Sequence, residues 1–198
     1  MSENLDTNRF FNTFFEYVRR LVDIPEGDQE ICKKHFKAVV VKKNTILEEA
    51  GKVHKHHNFI VSGYMRIYHI SIDGEEVVTD LNDGPRFFTS FDHFMNGTPS
   101  NEHLHCITDC ELLRITKDDM EYTAKIGETQ LAYSMLILQE ALEKRKQRNI
   151  DLSTLTAKER YDKLRENQPS IIQNVPQKYI ASYLGINPGS LSRIRQNK

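Results

Sequence analysis

PQKYIASYLGINPGSLSRIRQNK, residues 176–198, is the stretch that decides the architecture. Ile180, Ala181, Tyr183 and Leu184 give a first short helix an apolar side, and Ala181 is small enough for a second helix to cross closely. Gly185 follows where a helix stops in a left-handed conformation, which is cheap only for glycine. Ile186 is the apolar plug of the turn. Asn187 is a good N-cap, and Pro188 stands at the first helical position, where its missing N–H costs nothing. Leu191 and Ile194 bury the second helix. Ser190, Arg193 and Asn197 share its open face, flanked by Ser192, Arg195 and Gln196. This order predicts a helix-turn-helix, which lays its second helix in the major groove of double-stranded DNA. Gly189, Ser190, Ser192, Arg193 and Arg195 are then the candidate groove residues, with Arg193 suited to guanine O6/N7 or a phosphate. Gln177, Lys178 and Tyr179 open the first helix, placed for backbone phosphates. The plainer reading of the same pattern is an ordinary helical hairpin.

Charge supports the first reading. The chain carries a net −1, but residues 141–198 hold 12 Lys/Arg against 5 Asp/Glu, a net of +7. Residues 1–140 hold 15 against 23, a net of −8. From Ile171 onward there are four basic residues and no acid. An acidic body with a basic tail is the layout expected when only the tail meets a polyanion.

Upstream of the tail, Leu155–Asn167 is amphipathic and closed by Gln168-Pro169, with Ile171–Val175 after it. Thr129–Asn149 lacks Gly and Pro and reads as one long helix. Leu131, Met135, Leu138 and Leu142 form an a/d seam along it, suited to pairing with a second copy of the chain or, since three turns are short for a coiled coil, to packing on the barrel. Thr116-Lys117-Asp118-Asp119 offers a cap and acids for an earlier helix that breaks near Gly127.

Before Ile115 the period changes. AVVVKKNTILEEAGK, NFIVSGYMRIYHI, EEVVTDLNDG, RFFTSF and HLHCITDCELLRI are short runs rich in Val, Ile, Thr, Tyr and Phe, separated by glycine-bearing turns. Ile72-Asp73-Gly74-Glu75 is a strong hairpin signal. Many short strands at this spacing predict an antiparallel barrel or jelly roll. Residues 9–22 and 28–36 read as N-terminal helices. The expected fold class is α+β, with domains at 1–118 (barrel), 119–150 (pairing helix) and 151–198 (helix-turn-helix).

This order of parts resembles the Crp/Fnr family of bacterial transcription regulators. The resemblance is carried by FIVSGYMRIY (59–68), DGEE (73–76), LTAKERYDKL (155–164) and YIASYLGINPGSLSRI (179–194). It is closest to a short-tailed branch in which the chain stops soon after the recognition helix. It implies a cyclic-nucleotide-binding-like sensor, a homodimer, DNA as partner, and RNA polymerase and an unidentified small-molecule effector as further partners. In cyclic-AMP-binding members a Gly-Glu pair and an Arg-Ser pair hold the ribose and cyclic phosphate. The resemblance places Thr89-Ser90 at the first pair and Pro99-Ser100 or Ser100-Asn101 at the second. Arg145-Lys146 fall where adenine-contacting hydroxyls belong. Phe88, Thr89, Ser90, Ser100, Asn101 and Arg145 are therefore the candidate ligand pocket. Without the family's arginine the cyclic phosphate loses a charge-assisted partner, so no cyclic nucleotide cofactor is expected. A cyclic-nucleotide-responsive regulator with an atypical pocket is the alternative. Pro188 and Gly189 stand where base-reading side chains often sit, so the family's target sequence does not carry over.

A different class of function comes from the histidines. Seven of the eight lie between His54 and His105. His54/His56 and His103/His105 sit two apart, so each pair shares a face if it lies in a strand. Small barrels of the cupin type bind metal with such pairs. The plainer reading leaves HKHH (54–57) in a surface loop and His103/His105 facing solvent, with no metal site. No phosphate loop, nucleophile–base order or paired carboxylates in a clear strand context is present, so no enzyme is expected.

The remaining composition is that of an ordinary globular chain, 38% hydrophobic and 28% charged over 198 residues. No apolar run approaches the roughly 18–20 residues of a membrane helix. The polar N-terminus lacks the order of a signal peptide, so a cytoplasmic location is expected. Cys32, Cys106 and Cys110 are expected as reduced thiols, the last two buried in a strand-like run rather than serving as cluster ligands.

Overall fold

The computed structural model describes residues 5–196; Asn197 and Lys198 lie outside the described residues. Two helices come first, α1 (Thr7–Arg19) and α2 (Glu26–His35). Eight strands follow: β1 (Lys37–Val41), β2 (Ile46–Glu48), β3 (His56–Ser62), β4 (Tyr64–Ile70), β5 (Glu76–Asp83), β6 (Arg86–Phe87), β7 (His103–Cys106) and β8 (Cys110–Thr116). A short helix, α3 (Phe91–Asn96), interrupts them between β6 and β7. The chain ends in α4 (Lys117–Ile126), α5 (Gln130–Thr154), α6 (Ala157–Asn167), α7 (Pro169–Asn174), α8 (Gln177–Tyr183) and α9 (Pro188–Gln196).

The strands form two antiparallel four-stranded sheets, ordered β1-β8-β3-β6 and β2-β7-β4-β5. This is the jelly-roll layout that the alternating runs predict. The β4–β5 hairpin closes through Ser71–Glu75, with Gly74 at φ +82° and its N–H donating to the Ser71 carbonyl. RFFTSF departs from the expectation of a strand. Only Arg86 and Phe87 pair with β3; the Thr89 hydroxyl binds backbone on either side of the gap, and Phe91 opens α3. The long helix ends at Thr154 rather than Asn149.

α1 packs against β3 and β8, on the residues that alternate with those buried between the two sheets. Phe10, Phe11, Phe14 and Phe15 are buried, and the Phe14 ring lies 5.1 Å from Phe36 and 5.2 Å from Phe59 between centroids. Asp28 ties α2 to the start of α5 by accepting from the amides of Glu128 (3.0 Å) and Thr129 (2.7 Å). A second cluster joins the barrel to the C-terminal helices. Tyr68, Val78 and Leu81 of β4–β5 pack with Tyr161, Leu164, Ile171, Ile180 and Leu184. Burying such side chains contributes roughly 1.5–3 kcal/mol each, so the two parts share one apolar interface.

Candidate nucleic-acid interface and ligand pocket

The local rules of residues 176–196 all appear in the structure. Gly185 takes φ +67° and ends α8. The Asn187 side chain accepts from the Ser190 amide at 2.8 Å, capping α9. Ile180, Ala181, Leu184 and Leu191 are buried between the two helices and their neighbours. Two arginines hold the C-terminal end of α8: Arg160 donates to the Leu184 carbonyl (2.9 Å) and Arg148 to that of Tyr183 (2.9 Å). These contacts satisfy carbonyls that a helix end leaves without partners.

The candidate contact residues do not all share one environment. Gln177, Lys178, Gly189 and Arg193 are exposed, and Ser190, Ser192 and Arg195 are half-buried. Arg193 donates to the Ser190 hydroxyl at 3.2 Å, so these two form one polar surface. Tyr179 turns toward the barrel instead. Its ring lies 3.8 Å from the Arg66 guanidinium, whose other face lies 4.0 Å from Tyr68. Arg66 also donates to Glu76 (2.7 Å) and to His105 Nδ1 (3.0 Å). Because arginine only donates, His105 Nδ1 is the acceptor and the ring is neutral. Burial and the neighbouring guanidinium push the His105 pKa down to about 4. Ser182 completes the docking by accepting from the Val78 amide (2.9 Å) and donating to the Glu76 carbonyl (3.1 Å) of β5.

Two of the candidate pocket residues, Ser90 and Ser100, meet at Glu102, whose carboxylate sequence reasoning missed. Glu102 is 8% exposed. Ser90 donates to its Oε2 at 2.5 Å and Thr79 to its Oε1 at 3.0 Å, while its own amide donates to the Ser100 hydroxyl at 3.0 Å. Thr89 points the other way. Its hydroxyl donates to the Phe88 carbonyl (2.6 Å) and accepts from the Asn58 amide (3.0 Å), so His57 Nδ1, at 3.1 Å, is a donor. His57 stacks on Phe87 with centroids 4.4 Å apart, and burial pushes its pKa down to about 3. Phe88 is core. Asn101 is exposed, and Arg145 pairs with Asp92 of α3 at 3.2 Å on the surface. The structure thus brings Ser90 and Ser100 together and leaves Asn101 and Arg145 apart from them.

The seam residues Leu131, Met135 and Leu142 are exposed on α5, and Leu138 is half-buried. The histidines do not converge. Among the described residues, no group of three His, Cys, Asp or Glu side chains is placed to hold a metal ion. The surface reading of these histidines needs correcting too, because His54, His57 and His105 are buried. His54 precedes β3 and has no hydrogen-bond partner on either ring nitrogen, whereas His56 faces Glu48 at 3.4 Å. His103 accepts from the Ala50 amide at 3.2 Å. All three cysteines are buried and free. Among the described residues, no helix is long and apolar enough to cross a membrane.

Comparison with known proteins agrees with this architecture. The family model of the cyclic nucleotide-binding domain matches residues 38–125. No curated protein matches the sequence. Among solved structures, FixK2 from Bradyrhizobium japonicum is similar at a TM-score of 0.67 and 15% identity, over 81% of this chain and 83% of that one. The c-di-GMP responsive global regulator CLP from Xanthomonas campestris is similar at 0.66 and 17%, over 87% and 90%. A protein from Eubacterium rectale assigned to the crp/fnr family of transcriptional regulators is similar at 0.66 and 16%, over 88% and 83%. Residues 38–125 are thus of the cyclic nucleotide-binding domain type, and most of the chain shares the fold of solved Crp/Fnr-type regulators.

Proposed function

We propose that this protein is a homodimeric, DNA-binding transcription regulator of Crp/Fnr type, acting in the cytoplasm and not as an enzyme, and that its barrel does not respond to a cyclic nucleotide. The observation that carries the DNA reading is the exposed face of α8 and α9. Gln177, Lys178, Ser190 and Arg193 stand there on a segment without a single acidic residue from Ile171 onward. The exposed apolar seam of α5 supports pairing of two copies, which would present two recognition helices to half-sites about one DNA turn, roughly 34 Å, apart.

The cyclic-nucleotide part rests on Glu102. Ser90 and Ser100, which the resemblance places at the ribose and phosphate contacts, both bind Glu102, Ser90 at its buried carboxylate and Ser100 at its amide. A cyclic phosphate brought there meets a negative charge, with no guanidinium among Thr89, Ser90, Ser100 and Asn101 to hold it. Bringing two like charges together in a buried site costs several kcal/mol, on the order of the ~4 kcal/mol expected at 4 Å and intermediate dielectric. The residues present do not fit the ligand that the domain type implies.

Selection from a random duplex library with the full chain tests the DNA reading. Enrichment of a two-fold symmetric site is expected. A library that stays unenriched at moderate salt, with the protein folded, removes DNA reading from the chain.

A further inference from the structure

A cleft of about 970 Å³ lies between the end of α1, the β5–β6 turn and the middle of α5. Four cations line it, Arg20, Arg86, Lys144 and Lys146, against two carboxylates, Glu140 and Glu143. Thirteen ion pairs form among the described residues, yet none of these four cations has a carboxylate of a described residue within 4.0 Å. Arg86 gives one guanidinium N–H to the neutral Asn82 side chain, and its buried Nε has no acceptor. Arg20 gives its Nε to a backbone carbonyl at 3.4 Å and lies over the Tyr17 ring. Lys144 is exposed at the rim, and its surroundings, Arg86 and Arg20 push its pKa down while Glu140 and Asp80 resist. Arg20, Lys144 and Lys146 are exposed and Arg86 is half-buried, and cations drawn together in one recess repel one another unless an anion joins them.

We propose that this cleft binds a small metabolite bearing a di- or triphosphate, with its phosphates against Arg86, Lys144 and Arg20. The planar guanidinium forks of Arg86 and Arg20 match phosphate oxygens, and several cations spaced across one recess favour a polyphosphate over a single phosphate. Glu140 and Glu143 lie beside them, able to accept from hydroxyl or amino groups on the rest of the molecule. Part of the cleft's lining faces away from the proposed pairing seam. Glu140, Lys144 and Gln147 recur at i, i+4, i+7 on the side of α5 away from Leu138 and Leu142. It is also separate from the Ser90–Glu102 cluster inside the barrel. A ligand there touches α5 and the β5–β6 turn, which follows the strand that holds α8 through Ser182.

Calorimetric titration of the full chain with inorganic pyrophosphate at fixed ionic strength tests the site without reference to DNA. One pyrophosphate per chain is expected, bound at least about tenfold more tightly than orthophosphate, since added charge-assisted bonds are each worth about tenfold or more. Arg86→Gln with Lys144→Gln is expected to weaken it by at least about tenfold, and Lys42→Gln, on the far β1 edge, to leave it unchanged. Absence of binding, or equal loss in both variants, overturns the site. Should the double variant unfold, acetylation of the unaltered chain followed by mass spectrometry decides the matter. Pyrophosphate must slow modification of Lys144 and Lys146 several-fold relative to Lys42, and uniform rates reject the proposal.

Discussion

The Arg66 guanidinium lies 3.8 Å from the ring of Tyr179, so a side chain of the barrel grips the first helix of the helix-turn-helix. With Tyr68 on its other face at 4.0 Å, the cation is sandwiched between a strand and a helix from different parts of the chain. Such contacts are worth about 0.5–2 kcal/mol each. Tyr179→Ala is expected to lower urea stability by about 1–2 kcal/mol and to speed amide exchange across residues 177–183. Exchange that stays as slow as before would mean that Ser182 and the apolar cluster hold α8 without the cation.

Arg193→Ala is expected to weaken binding to a selected duplex by about 1–3 kcal/mol if the guanidinium reads a base. Lys178→Ala should weaken all sequences alike and reduce the salt slope by about one. Fluorescence anisotropy at several salt concentrations separates the two. Equal affinities for Arg193→Ala and the parent at moderate salt would remove that role from Arg193.

Glu102→Ala removes a carboxylate that accepts two side-chain hydroxyls and leaves Ser90 and Thr79 without their acceptor. Its expected cost is about 2–4 kcal/mol, read as a shifted denaturant midpoint. Cyclic AMP should not raise the melting temperature of the parent chain, whereas a ligand at a hundred times its Kd would add about 2.7 kcal/mol. A clear thermal shift would overturn the Glu102 argument.

The pairing seam is tested by charge. Met135→Lys with Leu142→Lys places cations at two exposed seam positions of each helix, so like charges face each other across a paired interface. Sedimentation should show the pair reduced to single chains at micromolar concentration, with helix content unchanged because both positions are solvent-exposed in one copy. An unaltered dimer would place the interface elsewhere.

Acid should destabilise the barrel earlier than carboxylate titration alone would. His57 and His105 have pKa values pushed down to about 3 and about 4, from an ordinary 6.5. Between those values and 6.5 the unfolded chain binds protons that the folded one refuses, so stability falls as pH falls through that window. Each such histidine contributes at most about 1.4 kcal/mol per pH unit. Denaturant midpoints measured from pH 7 to pH 4.5 check this, and His57→Gln should flatten the slope. An unchanged slope would assign the acid sensitivity to other groups.

Local rules made the tail legible. Gly185, Asn187 and Pro188 each act within a few residues, and their chemistry depends little on the rest of the chain. The barrel was legible for a similar reason, since alternation and glycine turns are written along each strand. Glu102 was not. Asn101-Glu102 is a polar pair just ahead of the strand-like run from His103, and what buries the carboxylate comes from Ser90 and Thr79, far away in sequence. Two serines flanking the gap were the only trace of it. Arg66 and Arg148 escaped for the same reason, because tyrosines and carbonyls from other elements make them interior residues. RFFTSF misled through its composition. Its β-forming residues were outweighed by the Thr89 hydroxyl, which binds the backbone next to it, and by Ser90, which binds the distant Glu102.

β5 is the outermost strand of its sheet, and its free margin is closed by side chains of the helical half: Ser182 on the Val78 amide and Glu76 carbonyl, Arg148 on the Val78 carbonyl. A bare strand margin is a template on which another molecule can add its own strand. If reading DNA requires the helix-turn-helix to swing off the barrel, each swing bares that template. The protein's solubility is then tied to its signalling state, and the released form would be the one prone to self-association and amyloid-like growth.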